Sequence, residues 1–211
     1  LHTKGKLDKE KITARFQHGI GQISRNAGAN DQYPVETAHD ANLLQHFLKE
    51  HTRLGIPAII HEECCAGLMS AGSTIYPQMI GLASTFNPQL ANLMTTQIRA
   101  QIRAVGSHQG LAPVLDVARD PRWGRVEETF GEDPTLVSQF GTAFIQGLQG
   151  DDLSTGVLAT GKHFVGHSYS LGGMNCAPVH LGSRELWDTY LAPFQAAIRD
   201  GKLAAMMNAY P

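Results

Sequence analysis

The chain has 211 residues, with 17 lysines and arginines against 19 aspartates and glutamates and a formal net charge of −2. That length can bury a sizeable core and suits one domain or part of a larger one. Mixed charges, no basic block and no run of 18 apolar residues point away from nucleic acid and from a membrane span; a small neutral or weakly charged ligand fits better. Three cysteines, Cys64, Cys65 and Cys176, are an odd number with two adjacent, so they make no disulfide framework. Reduced thiols in a cytoplasmic protein are the simplest account, and the opening at Leu1 leaves room for an upstream segment.

Leu7 to Gln17 reads as a short polar helix, followed by a first strand over Gly19–Ser24 and a polar loop from Arg25 to Pro34. Glu36 to Leu54 carries Leu43, Leu44, Phe47, Leu48 and Leu54 at helical spacing, and Gly55 stops it. A second strand, Ala58–His61, ends in the polar cluster His61-Glu62-Glu63. Asn87-Pro88 predicts a helix start, with Leu90, Leu93, Met94, Ile98, Ile102 and Val105 on one face and Gly106 at the end. The third strand, Leu111–Val117, breaks into a loop holding Arg119, Arg122 and Arg125 among five carboxylates, with Trp123 in its middle. Asp133-Pro134 caps another helix, whose inward positions run from Leu136 to Leu148. Val157–Val165 is the fourth strand. A helix from about Ser183, kinked at Pro193, then leads to a fifth strand over Leu203–Tyr210.

Strands alternating with helices of this length imply parallel strands joined by helical crossovers. Polar residues gather where the strands end: Glu62 and Glu63, the arginine loop, Lys162 and His163, then Asn208 and Tyr210. That pattern predicts the C-terminal face of a partial (β/α)₈ TIM barrel, an α/β fold with about five βα units in a single incomplete domain over residues 1–211. A doubly wound sheet is the alternative, but its glycine-rich phosphate fingerprint is absent: Gly19-Ile20-Gly21 lacks the third glycine and a helix directly after it.

His163 and His167, or His61 with Cys64 and Cys65, could be imagined as metal ligands, but their spacings match no usual zinc pattern. Neither a metal nor a cofactor is expected. Glu62 and Glu63 are adjacent in a strand, so their side chains point to opposite faces; one faces the barrel mouth while the other pairs elsewhere. Charges as dense as those of the Arg119–Asp133 loop must pair with one another or with a ligand. A carboxylate, an arginine, a lysine and a histidine converging from three strands suit a polyhydroxylated ligand such as a sugar. Trp123 offers either a stacking surface or simple loop packing, and packing is the expectation.

The runs IPAIIHEECCAGLM, LAPVLDVARDPRWGRVEETFGEDP, TGKHFVGH and MMNAY, in this order and spacing, resemble the N-terminal barrel domain of family 3 glycoside hydrolases, the β-glucosidase and β-xylosidase group. The resemblance implies that Glu63, Arg125, Lys162, His163 and Tyr210 hold a sugar at subsite −1. It also implies a nucleophilic aspartate and an acid/base glutamate beyond Pro211, supplied by the rest of the barrel and a second domain. Many relatives carry arginines where this chain has Met69 and, in Leu171-Gly172-Gly173-Met174-Asn175, Met174. These losses and the His-Glu-Glu-Cys strand end suit a pentose without a C6 hydroxymethyl group. The expected activity is that of a retaining β-glycosidase, a β-xylosidase or β-glucosidase acting on short plant oligosaccharides or aryl glycosides, with these 211 residues inactive alone. A non-catalytic sugar-binding or scaffold protein is the alternative.

Overall fold

The computed structural model describes residues 2–3, 6–29 and 32–211, so Asn30 and Asp31 of the expected first loop lie outside the described residues. A short antiparallel pair, β1 (His2–Thr3) and β2 (Lys6–Leu7), leads into helix α1 (Lys9–Phe16). Five further strands form one parallel sheet in sequence order: β3 (Gln22–Ser24), β4 (Ile59–Glu62), β5 (Gln109–Gly110), β6 (Leu158–Phe164) and β7 (Ala205–Asn208). The crossovers carry α2 (Pro34–His51), then α3 (Met79–Ala83) with α4 (Pro88–Ala104), then α5 (Pro134–Gln149). The last crossover holds α6 (Ser183–Glu185), a π turn over Leu186–Tyr190, and α7 (Ala192–Arg199). Sequential parallel strands joined in this way make a curled partial (β/α)₈ barrel.

Helix ends follow local chemistry. Asn87 and Asp133 accept from the backbone N–H groups of Gln89 at 3.2 Å and Leu136 at 2.8 Å, and each precedes a proline that needs no donor in the first turn. Gly106 and Gly150 adopt positive φ just beyond α4 and α5, where a side chain would be strained. Pro193 does more than kink the predicted helix. It lacks the N–H that would continue the ladder, and the Leu191 N–H instead bonds back to the Leu186 carbonyl in a widened turn before α7 starts.

The third strand is shorter and less regular than Leu111–Val117. Regular pairing is confined to β5, and Val114 forms an isolated bridge with Lys162. Pro113 donates nothing to the ladder, so the run continues beside β6 through single bonds such as Leu115 N–H to the Lys162 carbonyl at 2.7 Å. The first strand also contracts, to Gln22–Ser24.

Two cores flank the sheet. One gathers Ile12, Phe16, Ile23, Leu44, Leu48 and Ile60 between α1, α2 and the first two barrel strands. The larger packs α4, α5 and α7 against the sheet through residues such as Ile98, Phe140, Phe144 and Leu148, all fully buried. Each buried phenylalanine contributes about 1.5–3 kcal/mol relative to an exposed one. Leu54, expected to close the second helix, lies exposed beyond α2, which ends at His51, and Leu43, Leu90 and Leu93, expected on inward faces, are exposed too. A helix covering a sheet buries only a stripe, and these positions fall on its flanks.

The α4–α5 contact depends on Gly147, where an added β-carbon would overlap the Thr95 hydroxyl and the Asn92 carbonyl. Gly147→Ala is expected to lower stability by about 1–3 kcal/mol in urea unfolding. Gly81→Ala, in α3 with open space around its α-carbon, is expected to be neutral or slightly stabilising.

Candidate functional site

Alternation at the end of β4 separates Glu62, its last residue, from Glu63, which follows it. Glu62 is fully buried and accepts from the N–H groups of Ala27 at 2.7 Å and Gly28 at 3.2 Å, and from the Ser107 hydroxyl at 3.3 Å. Burial pushes its carboxyl upward against the pull of those donors, and its contacts bind the loop after β3 to the sheet. Glu63 turns the other way and accepts a 2.9 Å hydrogen bond from Lys162 Nζ on β6. The Lys162 side chain is only 3% exposed. Burial alone would pull its ammonium down, but Cys65, Glu63 and Glu128 outweigh it and the net shift is upward, so the lysine is cationic.

Arg125 sits at the start of the 3₁₀ turn Val126–Glu128, and its Nε and Nη2 donate to the two oxygens of Glu128 at 2.7 and 2.8 Å. That bidentate bond raises the guanidinium further. It also brings Glu128 below the usual carboxylate range, although burial opposes this. Glu63, Lys162, Arg125 and Glu128 line one end of a cavity of about 780 Å³. The loop after β4, including Cys65, Met69 and Ile75, lines the other. Burial pushes the Cys65 thiol up to about 11, so it faces the cavity protonated.

His163 and Tyr210 lie beside this wall and not on it. The His163 side chain is fully buried; Nδ1 lies 2.8 Å from Asp116 Oδ2, and the same oxygen accepts the His163 backbone N–H at 3.1 Å. The Tyr210 ring packs 5.1 Å from that of His163 and 4.8 Å from that of His167. Trp123 is buried, donates to Asn175 Oδ1 at 3.2 Å and packs edge-on to His167, so it is loop packing and presents no stacking face. Asp120 holds Arg122 at 2.7 Å, and Asp133 is spent as the α5 cap.

Asp116 is the residue that sequence reasoning missed. It lies in an otherwise apolar run from Leu111 to Ala118, and an acid there must find a buried partner. Burial pushes it up to about 7, while burial together with Arg125 and Lys162 pulls His163 down to about 3.

A parallel arc of strands whose C-terminal ends gather a buried lysine, an arginine and carboxylates around one cavity has the layout of the C-terminal face of a (β/α)₈ barrel, the face on which barrel enzymes build their sites. Residues 2–211 match the Glycosyl hydrolase family 3 N terminal domain, and the chain belongs to that family. A β-xylosidase from Formosa agariphila is 41% identical over 165 residues, covering 74% of this chain and 23% of its own. A periplasmic β-glucosidase from Salmonella typhimurium is 31% identical over 193 residues, covering 90% and 25%. Among solved structures, the β-glucosidase EmGH1 from Erythrobacter marinus superimposes with a TM-score of 0.89 at 33% identity, over 96% of this chain and 27% of that one. The chain thus spans about a quarter of the length of the curated relatives it matches.

The Asp116–His163 pair has a linkage consequence. Unfolded aspartate gives up its proton near 3.8 and the folded carboxyl near 7, so the stability from Asp116 is lost as pH rises through that window. His163 works in the opposite sense: folding excludes its proton between about 3 and 6.5, so its contribution grows with pH. The two oppose each other over the shared range. Asp116→Asn removes only the first, so the variant's urea midpoint is expected to gain on the wild type between pH 4.5 and 7.

Proposed function

We propose that residues 1–211 are the sugar-holding part of a retaining β-glycosidase that removes terminal non-reducing xylose or glucose from short plant-derived oligosaccharides. One observation carries this reading: Glu63, Lys162, Arg125 and Glu128 converge on a single cavity from three separate strand ends. Carboxylates accept from pairs of sugar hydroxyls, and the ammonium and guanidinium donate to hydroxyl lone pairs. The names of the relatives, β-xylosidase and β-glucosidase, support the same class.

In this mechanism Glu63 and Lys162 act as one unit. The Lys162–Glu63 bond leaves the second Glu63 oxygen and two ammonium protons for the sugar. Arg125 pairs with Glu128 through Nε and Nη2 and also interacts with the Tyr210 hydroxyl, and a guanidinium with five N–H donors has further protons to offer a sugar hydroxyl. His163 and Tyr210 complete the set from beside the cavity. The reacting aspartate and glutamate belong to the protein outside residues 1–211. The aspartate attacks C1, the glutamic acid protonates the leaving oxygen, and water resolves the glycosyl-enzyme. The barrel residues strengthen their hydrogen bonds as the ring approaches the oxocarbenium-like transition state. Apolar Met69 on the cavity wall, where many relatives carry an arginine, favours xylose over a sugar bearing a C6 hydroxyl.

In the intact natural protein, Arg125→Ala and Lys162→Ala are each expected to lower kcat/KM on aryl β-xyloside by about 10²–10³-fold. Near-normal kinetics in both variants would exclude the assignment. Comparing aryl β-xyloside with aryl β-glucoside in the wild type decides the sugar, with the xyloside expected to be the better substrate.

A further inference from the structure

His163 is the one residue of the proposed sugar set whose two ring nitrogens are treated differently by the protein. Nδ1 is held by Asp116, whereas Nε2 is buried with no hydrogen-bond partner. A buried nitrogen left unpaired costs about 1–3 kcal/mol, so the open one is where a ligand group gains most. We propose that Asp116 is a positioning residue that locks His163 in the Nδ1–H tautomer, so that Nε2 meets the substrate as a hydrogen-bond acceptor from one sugar hydroxyl. This rests on the glycosidase reading above.

The geometry argues it as follows. Asp116 Oδ2 already accepts the His163 backbone N–H at 3.1 Å, which orients its lone pairs toward the His163 residue. Nδ1, 2.8 Å away, faces an acceptor and is satisfied by carrying the proton itself. A proton on Oδ1, the oxygen without a partner, leaves this bond intact. The charged groups around the ring are Arg125 and Lys162 against Glu128 and Glu63. With burial, the two cations keep the imidazole neutral, and only a neutral ring offers a lone pair. His167, at 4.6 Å between ring centroids, adds no bond to Nε2. The consequence is chemical: a hydroxyl that donates is recognised, and a group that can only accept is rejected.

The test has two arms in the intact natural protein. Long-range ¹⁵N–¹H spectra of histidine-labelled protein, with His163 assigned by its loss in His163→Gln, read the tautomer directly. Nδ1 is expected to carry the proton in the wild type and in Asp116→Asn, whose amide oxygen can take the place of Oδ2. Asp116→Leu is expected to release the ring to the Nε2–H form. A proton on Nε2 in the wild type overturns the proposal, and this arm stands even if the leucine variant does not fold.

The second arm compares inhibition constants of 3- and 4-deoxyxylose with those of their deoxyfluoro counterparts, since fluorine accepts but does not donate. At the position sensed through His163, fluorine is expected to bring no gain over hydrogen in the wild type and in Asp116→Asn. In Asp116→Leu it should gain about fivefold, the worth of one modest hydrogen bond. A gain of that size in the wild type overturns the acceptor role. If no xylose or glucose derivative binds, the glycosidase reading fails with the substrate half of the proposal, while the spectra still decide whether Asp116 holds the tautomer.

Discussion

The site is organised by the burial of one lysine. Lys162 ends up almost wholly out of water near the C-terminal end of β6, and an ammonium there costs several kcal/mol unless anions surround it. Glu63 reaches it directly across the sheet, and Glu128 adds negative potential from the arginine loop. Removing a partner from such a pair costs about 3–5 kcal/mol, so the strands that carry them are fixed in register relative to one another. The cavity is the space those charges enclose.

Adjacent positions on the two site-bearing strands perform opposite tasks. Glu62 spends every contact on backbone and a buried serine, tying the loop after β3 to the sheet, while Glu63 is kept for the cavity. Lys162 faces the cavity wall, and His163, the next residue, is withdrawn onto Asp116. At Glu62 and Glu63 the period-two geometry of the strand produces this division, giving one residue to the scaffold and its neighbour to the cavity; at Lys162 and His163, where the pairing is irregular, the bond to Asp116 draws the histidine aside. The arginine loop shows the same economy over a longer stretch. Arg122 pairs with Asp120 on the exposed side and Trp123 plugs the interior, so Arg125 is held on the cavity wall by Glu128.

Much of this is legible in the sequence. Alternating strands and helices, the Asn87 and Asp133 caps with their prolines, and polar residues at strand ends are local signals, and local chemistry enforces them. Where local reading failed, a longer-range effect competed. Pro113 interrupts a run that apolar composition alone marks as a continuous strand. The flanking leucines of α2 and α4 are exposed because the width of the helix–sheet contact, and not helical periodicity, sets how many positions are covered.

The sequence by itself determined the family and the barrel class, and it pointed to Glu63, Arg125 and Lys162, because motif runs and strand-end polarity are written in contiguous residues. Only the tertiary structure decided that Arg125 is shared with Glu128, that Trp123 is a core residue, and that His163 hangs on Asp116. Asp116 and His163 are 47 positions apart on neighbouring segments. Nothing local marks which ring nitrogen an acid on another strand will hold, since that depends on the register of a sheet that exists only after folding.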